Sequence, residues 1–288
     1  MSSRRVGLKS TRSIGGNILI TICLTLVACF MVLPLVYTVN LAFKPINELL
    51  KFPPTFFVRH PTTQNFKDLF AALGNSFIPL SRYLFNSIFI SAVGTFGHVI
   101  LASMAAYPLA KNKFPGKNFM FQTVVISLMF SGFVVNIPRF LLMDSLGWLD
   151  TYYAVIVPMM VSTLGLYLMK QFMEQINDAI LEAARIDGAS EFRIFWRIVM
   201  PNVKPAWLTL TLFAFQASWN DSGSVSLYIR QEAMKTFPLA LSYVQAGGLA
   251  RMGASAAVGF ILMIPPITIF ILTQSNVVET MKSSGMKD

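Results

Sequence analysis

Six long apolar runs follow one another along the chain, separated by shorter polar segments. They cover residues 18–41, 84–110, 119–139, 152–173, 204–220 and 253–275. A helix rises about 1.5 Å per residue, so about 20 apolar residues cross the ~30 Å hydrocarbon core of a bilayer. The pattern therefore predicts an all-α membrane protein with six transmembrane helices.

The composition supports lipid rather than water as the solvent. Of the 288 residues, 55% are hydrophobic and 12% are charged, whereas a soluble domain carries about 25% charged residues. The net charge is +10, but the basic residues lie in the gaps between apolar runs, as membrane flanks do. We therefore expect the lipid bilayer as a partner and no nucleic acid.

The distribution of Lys and Arg predicts the orientation. With the N-terminus inside, the inner segments carry 14 basic residues and the outer segments carry 9. An excess of basic residues on the cytoplasmic side is the usual pattern, so we predict that both ends lie in the cytoplasm. The chain then divides into an N-terminal segment (1–17), a six-helix domain (18–275) and a C-terminal tail (276–288).

The inner segment 170–204 predicts two helices joined at a corner. Asn177 is a suitable N-cap for a first helix over 178–187. Gly188 follows, where a helix end favours a residue with a left-handed backbone. Ser190 can begin the second helix.

Small side chains on the first loop helix suit it to a narrow cleft in a soluble partner. Ala183 and Ala184 add almost no bulk, and three flanking charges can pair with the rim of such a cleft: Glu182, Arg185 and Asp187. Spacing alone is equally compatible with an ordinary amphipathic connector.

The same loop resembles a known family. Glu182-Ala183-Ala184, Gly188, Ile198 and Pro201 resemble the EAA loop of binding-protein-dependent ABC importer permeases, and Pro201 is expected to end the second helix. The string EAARIDGAS is similar to the carbohydrate branch, the maltose-permease-like proteins. Weaker resemblances lie at Asn86-Ser87, Ala105-Ala106-Tyr107, Trp219-Asn220-Asp221 and Thr236-Phe237-Pro238-Leu239. The sequence departs from that family's pattern after Asp221, where Ser222-Gly223-Ser224 follows.

The resemblance implies a machine with several subunits. It implies a heterodimer with a second homologous permease, two cytoplasmic ATPase subunits whose grooves receive the EAA helices, and an external solute-binding protein. The chain has no GxxxxGK[ST] phosphate loop, so we expect ATP and Mg²⁺ to be bound by the partner ATPase and no cofactor in this chain. The implied location is the cytoplasmic (inner) membrane of a bacterium or archaeon, and the implied solute is a sugar or oligosaccharide.

Rival functions have less support in the residues. An intramembrane enzyme would need a catalytic pattern such as HExxH or paired intramembrane Asp residues, and none is found. A secondary transporter would need charged residues within the spans, where Arg139 at the end of the third run is the nearest. The two histidines and two cysteines have no metal-ligand spacing. A permease for a non-sugar solute remains an alternative, and we expect no catalytic or metal-binding residue.

Candidate solute-path residues lie near the outer ends of the third and fifth runs. Amide and indole groups in apolar surroundings need hydrogen-bond partners, and four such residues are Asn136, Gln216, Trp219 and Asn220. The outer segments carry 9 basic and 6 acidic residues, which is compatible with an acidic saccharide. His98, in the second run, is interpreted as a structural residue bonded to a neighbouring helix.

Overall fold

The computed structural model describes residues 14–74, 78–130 and 132–285, and all regular secondary structure in these ranges is helical. The α-helices are α1 Ile14–Ala42, α2 Ile46–Leu49, α3 Gln64–Gly74, α4 Leu80–Lys111, α5 Lys117–Ser127, α6 Gly132–Ser145, α7 Tyr152–Met160, α8 Thr163–Glu174, α9 Asp178–Ile186, α10 Glu191–Ile194, α11 Met200–Asn202, α12 Lys204–Asn220, α13 Ser222–Tyr228, α14 Phe237–Gln245 and α15 Met252–Gly285. A π-helical turn covers Phe195–Val199, and 3₁₀ turns cover Glu232–Met234 and Gly248–Arg251.

Four of the described helical stretches are long and apolar enough to cross a membrane. They are Gly15–Ala42, Leu80–Lys111, Tyr152–Glu174 and Met252–Gln274. The pair Glu191–Asn202 and Lys204–Asn220, bent by 80°, makes a fifth if it is counted as one span. The structure therefore confirms a helical protein with four or five apolar helices, and it does not show six continuous spans among the described residues.

The third apolar run does not form the continuous helix that the sequence predicts. It is divided between α5 and α6, because α5 ends at Ser127 and turns follow at 128–130. The Ser127 hydroxyl donates to the carbonyl of Val124 at 2.7 Å. A serine that bonds its own backbone favours helix ends over helix interiors, and mean hydropathy over a long window does not register this effect.

The fourth run is interrupted in its middle. The backbone at Val161 is extended, with φ −104° and ψ 112°. Ser162 then caps α8, because its hydroxyl accepts a hydrogen bond from the backbone N–H of Gly165 at 3.3 Å. Two half-helices, α7 and α8, therefore meet near the midpoint of this span.

Helix α4 lies at the centre of the bundle and packs against α7, α8 and α12. Its buried face is rich in small residues, which allow close helix approach in a membrane: Ser87, Ser91, Thr95, Ala102 and Ala106. Helix α15 packs against α12, α1 and α3. The side chains of α1 from Ile18 to Leu35 are exposed along almost the whole helix, so α1 has a wide apolar face available to lipid or another subunit.

The loop predicted over 170–204 differs from the prediction at both of its boundaries. Helix α8 continues to Glu174, so the loop begins at Gln175 and not at Lys170. Pro201 does not end the second helix, because the chain continues through the π-helical turn Phe195–Val199 into α11. A π-turn has i→i+5 hydrogen bonds, so the helix changes its hydrogen-bond pattern just before the segment that contains Pro201.

Candidate functional site

The first loop helix, α9, begins at a side-chain cap. The Oδ1 atom of Asn177 accepts a hydrogen bond from the backbone N–H of Ala179 at 3.0 Å. Asp178 places a carboxylate in the first turn, where the helix dipole favours negative charge. The predicted cap at Asn177 is confirmed, and the predicted helix 178–187 is observed one residue shorter.

The helix ends in a Schellman motif that requires the glycine. Gly188 has φ +78°, its N–H bonds to the carbonyl of Arg185 at 3.0 Å, and the N–H of Ala189 bonds to the carbonyl of Ala184 at 3.0 Å. These two bonds satisfy helix-end carbonyls and fix the direction of the following chain. The corner predicted at Gly188 is therefore confirmed.

Lys111, the last residue of α4, holds the start of the loop. Its Nζ atom lies 2.6 Å from Oδ1 of Asp178, and it also donates to the carbonyl oxygens of Glu174 and Ile176. The side chain of Lys111 is only 4% exposed, so a buried ammonium binds three oxygens of the loop. The hydrogen bond from Lys111 to Asp178, together with the positive charge of Lys111, lowers the pKa of the Asp178 carboxyl.

Glu191 holds the other end of α9. Its Oε1 atom lies 2.7 Å from Nε of Arg185, and its Oε2 atom accepts a hydrogen bond from the Tyr107 hydroxyl at 2.7 Å. The hydrogen bond to Glu191 raises the pKa of the Arg185 guanidinium. Because Tyr107 belongs to α4, both ends of α9 are attached to the C-terminal end of that helix.

The two faces of α9 differ sharply. Leu181 is 1% exposed and belongs to an apolar cluster that includes Met173, Ile194 and Phe195, and Ala184 packs against the same cluster. The opposite face is exposed and consists of Glu182, Ala183, Ile186, Asp187 and Gly188. Ile186 on this face is 86% exposed.

The residues predicted for the partner surface therefore separate into two groups. Glu182, Ala183, Asp187 and Gly188 lie on the exposed face. Arg185 is already paired with Glu191, and Ala184 is half-buried against the membrane domain. Ile186 lies on the same exposed face although it was not among the predicted residues, and its place three residues after Ala183 puts it on that side of the helix.

A separate cavity lies among α4, α6, α7, α8, α12 and α13. Its volume is about 330 Å³, and most of its lining is apolar. The polar residues that line it are His98, Arg139, Ser162, Ser218, Asp221, Ser224 and Tyr228. The break between α7 and α8 opens onto this cavity, because Val161, Ser162 and Leu164 are among its lining residues.

Comparison with known families decides what kind of protein carries these features. Residues 17–283 match the family described as binding-protein-dependent transport system inner membrane component. The chain belongs to this family. It is thus a membrane permease of the binding-protein-dependent ABC type, as the resemblance of the EAA loop implied.

Curated relatives agree with the family. Protein LplC of Bacillus subtilis is 35% identical to this permease over 223 residues, which cover 76% of this chain and 72% of LplC. The arabinooligosaccharides transport system permease protein AraQ of the same organism is 31% identical over 266 residues, covering 90% of this chain and 93% of AraQ. The polygalacturonan/rhamnogalacturonan transport system permease protein YtcP, also of B. subtilis, is 29% identical over 239 residues, covering 81% of each chain.

Solved structures share the fold of the permease. A chain from a bacterial ABC transporter involved in the import of the acidic polysaccharide alginate superposes with a TM-score of 0.76. The two sequences are 21% identical, and the match covers 92% of this chain and 99% of the other. At this identity the likeness establishes the fold.

The predicted solute-path residues do not gather around the cavity of the permease. Asn136, Gln216 and Asn220 are exposed on α6 and α12, and the Asn220 amide donates to the carbonyl of Gln216 at 2.9 Å. Trp219 is 4% exposed and stacks on Phe215 with ring centroids 6.0 Å apart. Its indole Nε1 has no hydrogen-bond partner among the described residues.

The residues that do line the cavity were only partly visible in the sequence. Arg139 was noted as the charge nearest to the spans, and His98 as a buried ionisable group. Asp221 and Tyr228 were not selected, because their approach to the cavity depends on the turn between α12 and α13.

Proposed function

We propose that this permease imports a sugar or oligosaccharide and that ATP hydrolysis in separate cytoplasmic subunits drives it. Two relatives support the solute class, since AraQ is named for arabinooligosaccharides and YtcP for polygalacturonan and rhamnogalacturonan. In this proposal the chain forms part of the solute path, and ATP and Mg²⁺ bind to the partner ATPase.

The proposed topology has six crossings with both ends in the cytoplasm. The 14 basic residues of the inner segments against 9 in the outer segments support this orientation. The third crossing combines α5 and α6, and the fifth combines the bent pair that ends in α12. The loop that carries α9 then faces the cytoplasm.

The proposed coupling element is α9, and one observation carries the proposal. A helix attached to α4 at both ends presents an exposed face with no bulk at Ala183. Such a helix can enter a cleft and transmit movement, because the Lys111–Asp178 salt bridge, the Tyr107–Glu191 hydrogen bond and the apolar contact of Leu181 join the loop to the membrane domain. Glu182 and Asp187 can pair with basic groups at the rim of the cleft.

The proposed assembly contains a second homologous permease, two ATPase subunits and an external solute-binding protein. The family description supports dependence on a binding protein. The exposed apolar face of α1 supports a membrane partner, because only lipid or another membrane protein can cover such a surface favourably.

A steric substitution on the exposed face tests the coupling proposal. Ala183→Trp should block entry into the cleft and abolish co-purification of the ATPase with the permease complex. Glu182→Ala should weaken docking only a few-fold, since one exposed charge pair contributes about 0.2–1 kcal/mol. Ala183→Ser, which adds one oxygen atom to the same position, is the matched control and should retain docking.

The readouts are co-purified ATPase and the ATP hydrolysis rate of the assembled complex. The membrane level and thermal unfolding of each variant show whether the permease still folds. If Ala183→Trp folds and retains both ATPase association and hydrolysis at the wild-type level, α9 is a connector and the coupling proposal is wrong.

A permease for a non-sugar anion is the second candidate. The sn-glycerol-3-phosphate transport system permease protein UgpE of Yersinia enterocolitica is 29% identical over 231 residues, covering 79% of this chain and 82% of UgpE. Arg139 in the cavity favours a negatively charged solute. The test is uptake of labelled sn-glycerol 3-phosphate by cells that carry the complete system. Uptake that unlabelled oligosaccharides do not inhibit would favour this candidate.

A further inference from the structure

The break between α7 and α8 and the side chain of Arg139 both line one cavity. We propose that the cavity among α4, α6, α7, α8, α12 and α13 is a subsite for one carboxylate-bearing sugar unit, with Arg139 as its anion-binding side chain. The proposal rests on the proposed import of saccharides and names the chemical class that this subsite takes.

The start of α8 contributes positive potential to the cavity. Ser162, Leu164 and Gly165 line it, and α8 is a helix of 12 residues. The first N–H groups of a helix have no partner within the helix, and here the Ser162 hydroxyl takes up the N–H of Gly165. A half-helix inside a membrane domain that points its N-terminus into a cavity is an arrangement that binds anionic solute groups.

The guanidinium of Arg139 bonds to the Tyr228 hydroxyl, and its other N–H groups are available to a ligand carboxylate. It is half-buried and lines the cavity, and no ion pair involves it among the described residues. Asp221 lines the same cavity, but its Oδ1 atom accepts the backbone N–H of Ser224 at 2.8 Å and caps α13. A guanidinium that lacks a carboxylate partner in a mostly apolar cavity has a strong preference for an anion.

His98 is a second polar side chain of this cavity that can bind a ligand, and its ring also interacts with the backbone of Met159 and Met160 on α7. It is 4% exposed, it lines the cavity, and its Nδ1 atom has no hydrogen-bond partner among the described residues. Leaving a buried polar atom unpaired costs about 1–3 kcal/mol. Gly165 brings the backbone close to this ring, since a Cβ at that position would lie 2.5 Å from Nε2 of His98.

A sugar unit fits these groups. Its carboxylate would bind Arg139 and the N-terminus of α8, and its hydroxyls would reach His98, Asp221 and the Tyr228 hydroxyl. The volume of about 330 Å³ lies near the lower end of ligand pockets, which hold about 300–1,000 Å³. The cavity therefore takes a single unit, and a longer oligomer would pass through it one unit at a time.

Two probes of equal length separate charge from sugar shape. The probes are tetragalacturonate and its fully methyl-esterified form, which has the same rings and no carboxylate. Binding to the purified full-length permease complex in lipid nanodiscs, without ATP, is measured by isothermal titration calorimetry. We expect the ester to bind at least tenfold more weakly than the acid.

Variants then assign the effect to the cavity. Arg139→Gln should weaken binding of the acid at least tenfold and leave binding of the ester unchanged, whereas Arg139→Lys should retain part of the preference for the acid. Arg230→Gln is the matched control, because it removes one exposed positive charge outside the cavity. Thermal unfolding and co-purified ATPase show that each complex is intact.

Equal binding of acid and ester, equal binding of the acid by Arg139→Gln and the wild type, or no binding of the acid by an intact wild-type complex would each overturn the proposal. These outcomes are distinct from failure of the proposed function. If the proposed function is wrong, the permease assembles with no ATPase, and this result does not depend on which ligand it binds.

Discussion

A side chain added at Gly188 tests the backbone conformation of the corner, because the added atoms would not clash with a neighbour. A Cβ built at this glycine meets no atom within 4 Å, so a substitution is not opposed by a clash. Its backbone has φ +78°, and a non-glycine residue in the left-handed region costs about 1–2 kcal/mol. That energy changes the population of the correct corner by a factor of about 5–30.

The comparison of three substitutions tests this reasoning. Gly188→Val and Gly188→Ala should reduce ATPase association and ATP hydrolysis, with the β-branched valine having the larger effect. Gly188→Asn should retain most of both, because asparagine tolerates the left-handed conformation better than other non-glycine residues. Co-purified ATPase per permease and the hydrolysis rate of the complex are the readouts. If Asn and Val have the same effect, or if Val has none, the strained corner does not explain the role of Gly188.

Three further expectations follow from single contacts. Trp219→Ala should destabilise the permease by about 3–5 kcal/mol, read as a lower thermal midpoint, because the indole is buried against Phe215; an unchanged midpoint would contradict this. The contact between Asp178 and Lys111 lowers the carboxyl pKa, so its stabilisation is present above the unfolded value of 3.8 and is lost as the pH falls through the lower folded value; amide exchange in α9 should rise in that acid range, and Asp178→Asn should remove this pH dependence. A cysteine at Ser190 should react with an impermeant maleimide only after the cells are opened, and labelling of intact cells would contradict the proposed topology.

The local signals of α9 were visible in the sequence because they act over a few residues. Asn177 as an N-cap and Gly188 as a left-handed stop depend on backbone chemistry within one turn. The attachment of the helix to α4 was not visible. Lys111 and Asp178 are 67 residues apart, and Tyr107 and Glu191 are 84 apart, so no local pattern relates them.

The apolar runs predicted where helices form better than they predicted whether each run forms one continuous helix. The first, second and sixth runs lie within single helices, α1, α4 and α15. The third and fourth runs are broken near Ser127 and Ser162, where a serine bonds to the backbone while the mean hydropathy stays high. One or two polar residues are enough to end a helix, but they barely change an average over about 20 residues.

The residues predicted for the solute path do not line the cavity for a related reason. Polarity near a helix end does not say which way a side chain faces, and Trp219 packs in the core while Asn136 is exposed. His98 and Gly165 come together only because α4 packs against α8. Tertiary packing therefore determines the lining of the cavity.

Site-specific cross-linking from α9 tests the central claim most directly. In a permease with Cys23→Ser and Cys29→Ser, the single substitution Ala183→Cys places a thiol on the exposed face of α9. Treatment of the assembled complex with a short thiol-to-amine cross-linker should join the permease to the cytoplasmic ATPase subunit. Gln231→Cys, which is exposed in the proposed outer segment, should give no such product. An intact complex in which the thiol at position 183 gives no ATPase cross-link, or gives no more than the thiol at position 231, would contradict the account.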